Sequence, residues 1–455
     1  MKKALFGKNS VDMLNGPIFR GILKVAIPIM VMNIMQLMFN AADVAILGIF
    51  VNDTAVAAVG TNGALISLIT GLFIGIAAGA NVIVAKYIGQ NKPERIEKAI
   101  GSSILIAFLG GVLVTIVGVS LAGTFLKWMK CDENVIGLAT KYLRIYFLGA
   151  PVMFVYNFCA QIMRAKGDAI RPMIYLIVSG VVNVILNVVF VLAFNTDVEG
   201  VAIATIVSQA LSATLAIIAL SKDKGIVRLR VSRLKFYKEE IMDLLKVGVP
   251  SGLQSCMFAV GNIFIQSAIN QMGELAMAGV TISNQFDGIL YFLIYAPALA
   301  AMSFVSQNYG ANNIERIKKI VIESIKIVLL FGIVVGFLFF IFAEPLCYLI
   351  TDTPEVVALA KERMAVLTTT YFLAGILDTF SYALRGMGKP FVSMMVTLVF
   401  CCIFRIAWIY LVFPINQSLT FLTLAWPISW ILATIVDVII FLSTYKKLKI
   451  KQKLS

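Results

Sequence analysis

Long apolar segments follow one another along the whole chain, separated by short polar connections. Each segment holds about 20 or more residues, enough for a helix to cross a hydrocarbon core about 30 Å thick. Because lipid leaves no backbone group unpaired, the segments are predicted to be α-helices. The pattern predicts twelve membrane-spanning helices, at about 18–48, 54–82, 97–126, 135–162, 172–194, 199–220, 243–270, 275–305, 318–343, 356–384, 391–413 and 420–444.

The composition supports an all-α polytopic membrane protein. Of the 455 residues, 60% are hydrophobic and 14% are charged, with a mean hydropathy of +0.93. Soluble domains average about 45–50% apolar and about 25% charged residues. The N-terminal "MKKALFGKNSVDMLNGPIFR" lacks the apolar core and cleavage site of a signal peptide, so the first helix is expected to insert the protein.

Lysine and arginine residues concentrate in the connections on one side of the predicted bundle. Examples are "KYIGQNKPERIEK", "RAKGDAIRP" and "SKDKGIVRLRVSRLKFYK". Cytoplasmic loops collect these residues, so a multi-pass protein of the plasma or inner membrane with both termini in the cytoplasm is predicted. The net charge of +14 then reflects topology and anionic lipid head groups. No nucleic-acid partner is expected, because a membrane-embedded basic loop has no groove-reading element.

The residue types that carry most enzyme chemistry are scarce in this sequence. The six cysteines include no CxxC motif, so neither a disulfide nor a metal cluster is expected. The chain has no histidine, which removes imidazole as a base, nucleophile or metal ligand. We also find no acidic pair like those of intramembrane prenyl-transferring enzymes, so we expect neither an enzyme nor a cofactor.

The sequence contains an internal repeat. "LKVAIP" at 23–28 returns as "LKVGVP" at 245–250, and "GQNKPERIEKAI" at 89–100 returns as "GANNIERIKKIV" at 310–321. Six helices per copy is an even number, so the copies are expected to run parallel, with a binding site between or within them. The predicted organisation is a six-helix bundle at 1–220, a cytoplasmic linker at 221–240 and a second six-helix bundle at 241–455.

These repeated motifs, together with "DVAILG" at 43–48, "AVAAVG" at 55–60 and "RAKGDAIRPM" at 164–173, resemble the multidrug and toxic compound extrusion (MATE) transporters. The resemblance covers nearly the full chain. It implies a two-lobed, V-shaped bundle that exports organic cations or drugs in exchange for Na⁺ or H⁺ by alternating access. We expect this transporter to be a monomer surrounded by membrane lipids.

A candidate cation site lies in the first half. At about 1.5 Å of rise per residue, Asp43 falls in the outer half of the first predicted helix. Tyr142, Asn183, Asn187 and Thr205 fall at a comparable depth on the fourth, fifth and sixth helices. Asn183 and Asn187 are four residues apart, so both amides can point inward from one helix face.

The resemblance supports the same set, because some MATE proteins form their cation site from an acidic residue and partners at the positions of these residues and of Gln36. Many members carry a second aspartate where this chain has Asn187, so Asp43 is predicted to couple transport alone. A lone carboxylate in a low-dielectric surrounding is neutralised either by a proton or by Na⁺ held by amide and hydroxyl oxygens. Both ions stay open, as does a purely structural role for Asp43.

The second half replaces polar residues with aromatic ones at the matching positions. By the repeat offset, Gln36, Asn183, Asn187 and Thr205 correspond in turn to Phe258, Phe404, Trp408 and Trp426. These aromatic residues are candidates for binding a flat cationic substrate, and packing against lipid or core is the alternative. The matching residues Asn157 and Asp378 are further substrate-binding candidates. Arg405 and Asp287 are candidates for an ion pair, and Asp437 is another intramembrane charge.

Three prolines inside predicted helices, Pro28, Pro250 and Pro297, are candidate hinges. Two other functions compete with drug efflux. A lipid-linked-precursor flippase of the same superfamily would need a cavity lined with several cations, and a passive channel would need a repeated selectivity filter. Neither feature is evident in the sequence.

Overall fold

The computed structural model describes residues 10–454, and every regular element in that part of the chain is helical. Among residues 10–454, ten helices are long and apolar enough to cross a membrane, and the number is twelve if each of two bent helix pairs is one span. This confirms the prediction of an all-α protein with up to twelve spans. The elements are α1 Ile18–Phe50, α2 Asp53–Gly89, α3 Pro93–Trp128, α4 Glu133–Leu148, α5 Ala150–Ala165, α6 Ile170–Ala193, α7 Val198–Ser221, α8 Lys238–Gln271, α9 Glu274–Gly310, α10 Ile314–Ile341, α11 Ala343–Tyr348, α12 Pro354–Thr370, α13 Phe372–Gly386, α14 Pro390–Ile415 and α15 Leu419–Leu454.

The fourth and tenth predicted spans are not single straight helices, which corrects the sequence prediction. The chain bends by 50° between α4 and α5 and by 44° between α12 and α13. Pro151 lies in the first turn of α5, where a missing N–H is tolerated, and so favours a new helix start. The second bend contains no proline, yet its break at Tyr371 lies 222 residues after Gly149 (371 − 149), at the same place in the repeat.

The duplicated motifs adopt the same backbone conformation in both halves. Asn91 and Asn312 end α2 and α9 with φ of 53° and 55°, and Gly167 and Gly388 follow α5 and α13 with φ of 92° and 78°. Both pairs are 221 residues apart (312 − 91 and 388 − 167). A left-handed residue just after a helix lets the next amides bond to the orphan carbonyls of the last turn. The motifs are therefore helix stops, and the turn chemistry explains why Asn and Gly recur there.

The chain divides into two compact units. The first contains Val31–Gly248, and the second contains Asp12–Met30 together with the chain from Val249 onward. The first core is built around Leu47, Leu126 and Leu143 of α1, α3 and α4. The second unit has several apolar clusters. The predicted bundles were 1–220 and 241–455, so the units differ from them in where α1 and the segment 221–248 belong.

The segment predicted as a linker, 221–240, packs against the first unit through charged contacts. Arg230 pairs with Glu97 at 3.0 Å, and Arg95 pairs with Glu240 at 3.0 Å. The Tyr87 hydroxyl donates a hydrogen bond to Asp243 at 2.8 Å. The segment is thus held to the start of α3, and the beginning of α8 is held to the end of α2.

A buried ion pair fixes the start of this segment. Lys166, which follows α5, donates to the carboxylate of Asp223, and Arg171 donates to the same carboxylate at 3.0 Å. Desolvation raises the pKa of the Asp223 carboxyl, but the hydrogen bonds from Lys166 and Arg171 outweigh it and hold the pKa below its usual value. A lowered carboxyl pKa stabilises the fold above the unfolded pKa of about 4 and loses that contribution as the pH falls through the folded value.

The left-handed turn after α13 makes a direct prediction. Gly388→Ala should lower the free energy of unfolding by about 1–2 kcal/mol, because an L side chain is strained at this positive φ even though a Cβ there would meet no atom within 4 Å. Thermal unfolding of the purified protein in detergent measures the change.

Gly288→Ala is the matched control. Its Cβ would also meet no atom within 4 Å, but Gly288 lies inside α9 with helical geometry. Alanine should stabilise that position by up to about 1 kcal/mol. Equal effects of the two substitutions would contradict the backbone explanation.

Candidate functional site

A chain of hydrogen bonds joins Asp43 to three polar residues in the first unit. The Nδ2 of Asn187 donates to Oδ1 of Asp43 at 2.5 Å and lies 3.5 Å from Oδ1 of Asn183. The Nδ2 of Asn183 in turn contacts the Thr205 hydroxyl at 3.4 Å. The structure therefore brings together four of the predicted residues, from α1, α6 and α7.

Local sequence explains why these side chains converge. On α6, Ser179, Asn183 and Asn187 recur every four residues and are buried, so one polar stripe faces the interior of the unit. Asn187 is fully buried, and Asp43 is half-buried. Four-residue spacing on α6 thus aims two amides at the single carboxylate of α1.

Two tyrosines complete this surrounding. Tyr142 on α4 is buried, and its ring stacks on that of Tyr146 with centroids 6.1 Å apart. The hydroxyls of both tyrosines interact electrostatically with Asp43, and Tyr146 also bonds to Thr70 of α2. Tyr146 and Thr70 were missed from the sequence. Tyr146 could have been found, because it lies one helical turn after Tyr142 on the same face.

The oxygen atoms of the cluster fit a small hard cation. Carboxylate, amide and hydroxyl oxygens are the ligands that such ions prefer. Oδ1 of Asn187 is buried with no hydrogen-bond partner in the described part of the chain, which is unusual for a polar atom. An unpaired oxygen beside a carboxylate is chemically suited to bind a cation. Together with Asp43, Asn183 and Thr205 it forms an oxygen-only donor set.

Two other predicted residues lie outside the cluster. Gln36 is exposed on α1, seven residues before Asp43, and has no hydrogen bond to the cluster among the described residues. Asn157 donates to the Met153 carbonyl of its own helix at 2.9 Å. Asn157, which was predicted as a substrate-binding residue, therefore uses its amide donor within its own helix.

The second unit contains a cavity of about 340 Å³. Three of the predicted substrate-binding residues, Phe258, Asp378 and Trp426, line it. Further aromatic and polar lining residues are Tyr291, Tyr371, Trp430, Asn262 and Arg405. The size and the aromatic wall are typical of a small-molecule site. That Arg405 lines this cavity was not predicted from the sequence.

Phe404 and Trp408 are not among the residues that line this cavity. Their rings pack against each other with centroids 5.9 Å apart, and Trp408 also packs against Phe421 at 5.6 Å. The Trp408 Nε1 donates to the Phe421 carbonyl at 3.1 Å. The structure therefore separates Phe404 and Trp408 from Phe258 and Trp426, although all four were proposed as one surface.

The ring of Trp426 already has two cationic neighbours. The guanidinium carbon of Arg363 lies 5.6 Å from the ring centroid, and that of Arg405 lies 5.5 Å away. Both distances are within the range of cation–π attraction. A cationic substrate would have to compete with these arginines for Trp426.

The candidate ion pair of Arg405 and Asp287 does not form. Asp287 accepts a hydrogen bond from Nη1 of Arg363 at 2.6 Å, and the same nitrogen contacts the Ser283 hydroxyl at 2.7 Å. Arg363 lies on α12, and its long side chain reaches the adjacent α9. Arg405 instead donates to Ser429 of α15 at 3.1 Å. The depth of a charge along its helix did not specify which neighbouring helix supplies the partner.

The remaining intramembrane acids form a second polar group. Asp437 of α15 accepts a hydrogen bond from Ser381 at 2.7 Å, and Asp378 interacts electrostatically with both Asp437 and Arg385. Arg385 donates to Gln254 at 2.7 Å. No group of three or more His, Cys, Asp or Glu side chains that could hold a metal ion exists in residues 10–454.

Comparison with known proteins connects this architecture to a family. The MatE family model matches residues 28–189 and again residues 250–411. The two matches are offset by 222 residues at both ends (250 − 28 and 411 − 189), which confirms the internal duplication. The chain belongs to the MatE family of membrane transporters. It is therefore a multi-pass transporter and not an enzyme.

Curated relatives and solved structures extend this MatE match over most of the chain. The "Probable multidrug resistance protein YoeA" of Bacillus subtilis is 27% identical over 378 residues, 82% of each chain. The "Probable multidrug resistance protein NorM" of Thermotoga maritima is 25% identical over 88% of this chain and 86% of its own. A MOP superfamily transporter structure from Pyrococcus furiosus has a TM-score of 0.90 at 22% identity, covering 97% of this chain and 100% of its own, so it shares the fold.

The Arg363–Asp287 pair predicts a large effect on stability. Both side chains are at most 7% exposed, so Asp287→Ala would leave a buried arginine without its counter-ion. Removing one partner of a buried pair costs about 3–5 kcal/mol. We expect a correspondingly large decrease in thermal stability of the purified protein.

Glu344→Ala is the control, because Glu344 pairs with Lys361 at an exposed position where both side chains are more than 40% accessible. Exposed pairs contribute about 0–1 kcal/mol. If both substitutions changed the melting temperature equally, burial would not be the reason for the effect at Asp287.

Proposed function

We propose that this MatE-family protein is a multidrug efflux antiporter that expels amphipathic organic cations in exchange for Na⁺ or H⁺. The observation that carries the proposal is the Asp43 cluster, with its carboxylate bonded to Asn187 at 2.5 Å. A carboxylate inside a membrane-spanning bundle is functional by default, because placing a charge there is expensive. The names of the relatives from Bacillus subtilis and Thermotoga maritima support drugs as the exported compounds.

Na⁺ and H⁺ would neutralise Asp43 in different ways. Na⁺ would be held by Asp43, by the amide oxygens of Asn183 and Asn187 and by the hydroxyl of Thr205. A proton would reside on Asp43 alone, and the neutral carboxyl would keep its hydrogen bond with Asn187. In either case binding removes the only carboxylate charge of the cluster. The bound ion would shift the transporter toward the conformation that binds the ion more tightly, by the difference between its binding free energies for the two conformations.

Two repeat-related prolines support alternating access. The boundary between the units falls between Met30 and Val31 in α1 and between Gly248 and Val249 in α8. Pro28 and Pro250 lie within these helices, two residues before the first boundary and one after the second. Proline removes a helical hydrogen bond and allows bending at that point. We therefore place the hinges at Pro28 and Pro250, whereas Pro297 lies inside the second unit.

The setting of the transporter is proposed from the charge pattern. Both termini lie in the cytoplasm, the protein resides in the plasma membrane, and it acts as a monomer in contact with lipids. The flippase alternative is less well supported, because Asp287 neutralises Arg363 and leaves Arg405 as the unpaired cation of the cavity wall. A pyrophosphate would need several such cations. A passive channel would need a repeated filter, but Ile265 stands where the repeat places Asp43 (43 + 222).

The first test of coupling is Asp43→Asn. The amide preserves shape and hydrogen bonding but cannot be neutralised by an ion, so efflux of a cationic dye from proteoliposomes should no longer respond to an imposed Na⁺ or H⁺ gradient. Asp53→Asn, at an exposed position at the start of α2, should keep the response. Gradient-driven efflux at the wild-type rate by a folded Asp43→Asn protein would refute the coupling role.

The second test concerns the amide ligands. If Na⁺ is the coupling ion, Asn187→Ala removes one of its oxygen ligands, and contacts with charged groups contribute about 1.5–3 kcal/mol, so the Na⁺ concentration for half-maximal efflux should rise about tenfold or more. If H⁺ is the coupling ion, the substitution removes a donor to the ionised carboxylate, so the proton concentration for half-maximal efflux should fall. The dye affinity should change little in either case. Asn157→Ala is the matched control, because Asn157 donates to the Met153 carbonyl of its own helix and makes no hydrogen bond to the Asp43 cluster within residues 10–454. An unmoved ion dependence in Asn187→Ala would mean that the coupling ion binds elsewhere.

A further inference from the structure

Arg405 is deeply buried in the cavity wall of the second unit. It is 2% exposed and lines the cavity. Its helical turn, Phe404–Ala407, lies between two π-helical stretches of α14, Thr397–Ile403 and Trp408–Val412. Such local widening of a helix occurs frequently at functional sites. The irregular backbone and the buried charge thus coincide at one position.

The partners of Arg405 are all uncharged. Nε donates to the Ser429 hydroxyl at 3.1 Å, and Nη1 makes a long contact of 3.5 Å with the Asn262 amide oxygen. The ring of Trp426 lies 5.5 Å away. No carboxylate within residues 10–454 comes within 4.0 Å of the guanidinium. A buried charge without a counter-ion is expensive, so its retention calls for a role.

The other charges of this unit have identified neighbours. Arg363 is neutralised by Asp287 at 2.6 Å. Arg385 donates to Gln254 at 2.7 Å and is not among the residues that line the cavity. Arg405 is therefore the cationic wall residue whose charge is available to a compound that enters the cavity.

Asp378 provides the opposite charge in the same cavity. It lines the wall together with Arg405, yet the two side chains do not pair directly. Tyr291, Tyr371 and Trp430 supply aromatic surface in the same cavity. A bipolar, aromatic-lined cavity complements a flat molecule that carries both charges.

We propose that the second-unit cavity binds aromatic zwitterions, with the carboxylate of the ligand on the Arg405 guanidinium and its ammonium group toward Asp378. Arginine binds a carboxylate through two parallel N–H donors, which gives direction as well as affinity. This inference rests on the proposed efflux function and narrows its substrates to cations that also bear an oxyanion. Ser429 and Asn262 position the guanidinium and do not themselves need to touch the ligand.

The test compares two ligands that differ in one charge. 3-(2-Naphthyl)alanine is an aromatic zwitterion, and its methyl ester keeps the ring and the ammonium group but masks the carboxylate. Binding to the purified full-length protein in detergent is measured by calorimetry at a pH where both amines are protonated. We expect the amino acid to bind at least about tenfold more tightly than the ester.

Arg405→Met should abolish this preference by weakening only the amino acid, while Arg144→Met, at an exposed arginine of α4, should preserve it. If Arg405→Met does not fold, Ser429→Ala, which loosens the guanidinium, should reduce the preference while ester binding stays the same. Equal affinity of the two ligands for the wild-type protein would overturn the proposal. The proposal would also be overturned if chloride, with no other ligand present, stabilised the wild-type protein but not Arg405→Met. No ion gradient is involved, so this outcome is independent of whether Asp43 couples transport.

Discussion

Every polar group inside the bilayer must find its partner within the protein, because lipid tails offer no hydrogen bonds. This constraint explains why the described chain is helical, since helices satisfy their backbone internally. It also applies to side chains. Asp43 lies against Asn187, Asp287 against Arg363 and Asp437 against Ser381. Buried polar residues of the spans thus lie in interior clusters, and function is proposed for the cluster around Asp43 and for the cavity that Arg405 lines.

The two repeats meet this constraint differently at the same positions. Where the first unit has Asp43 and its amides, the second has Ile265 in an apolar cluster bordered by Ile409, Phe413 and Trp426. The polar chemistry of the second unit instead surrounds Arg405, one residue after the counterpart of Asn183. One residue along a helix rotates a side chain by about 100° to another face. The two units therefore present different chemistry at matching positions, with the candidate ion cluster in the first unit and the candidate substrate cavity in the second.

The helix ends show what duplication preserved. Asn91 and Asn312, like Gly167 and Gly388, keep matching left-handed conformations although the neighbouring side chains have changed. The break at Gly149 and the break at Tyr371 also match, although only the first contains a proline. Positions that set the backbone path have been retained, and positions that set the chemistry have been free to change.

The sequence by itself determined the twelve spans, the repeat and the convergence of Asp43, Asn183, Asn187 and Thr205. The spans depend on segment length, and the convergence depends on four-residue spacing together with a common depth in the bundle, which can be read along each helix. Only the tertiary structure decided that Asp287 pairs with Arg363, that Arg405 lines the cavity, and that Phe404 and Trp408 do not. Membrane helices are apolar on nearly all sides, so hydrophobic periodicity gives little information about which face meets which neighbour. Partners on distant helices are set by rotation and packing, and those are properties of the assembled unit.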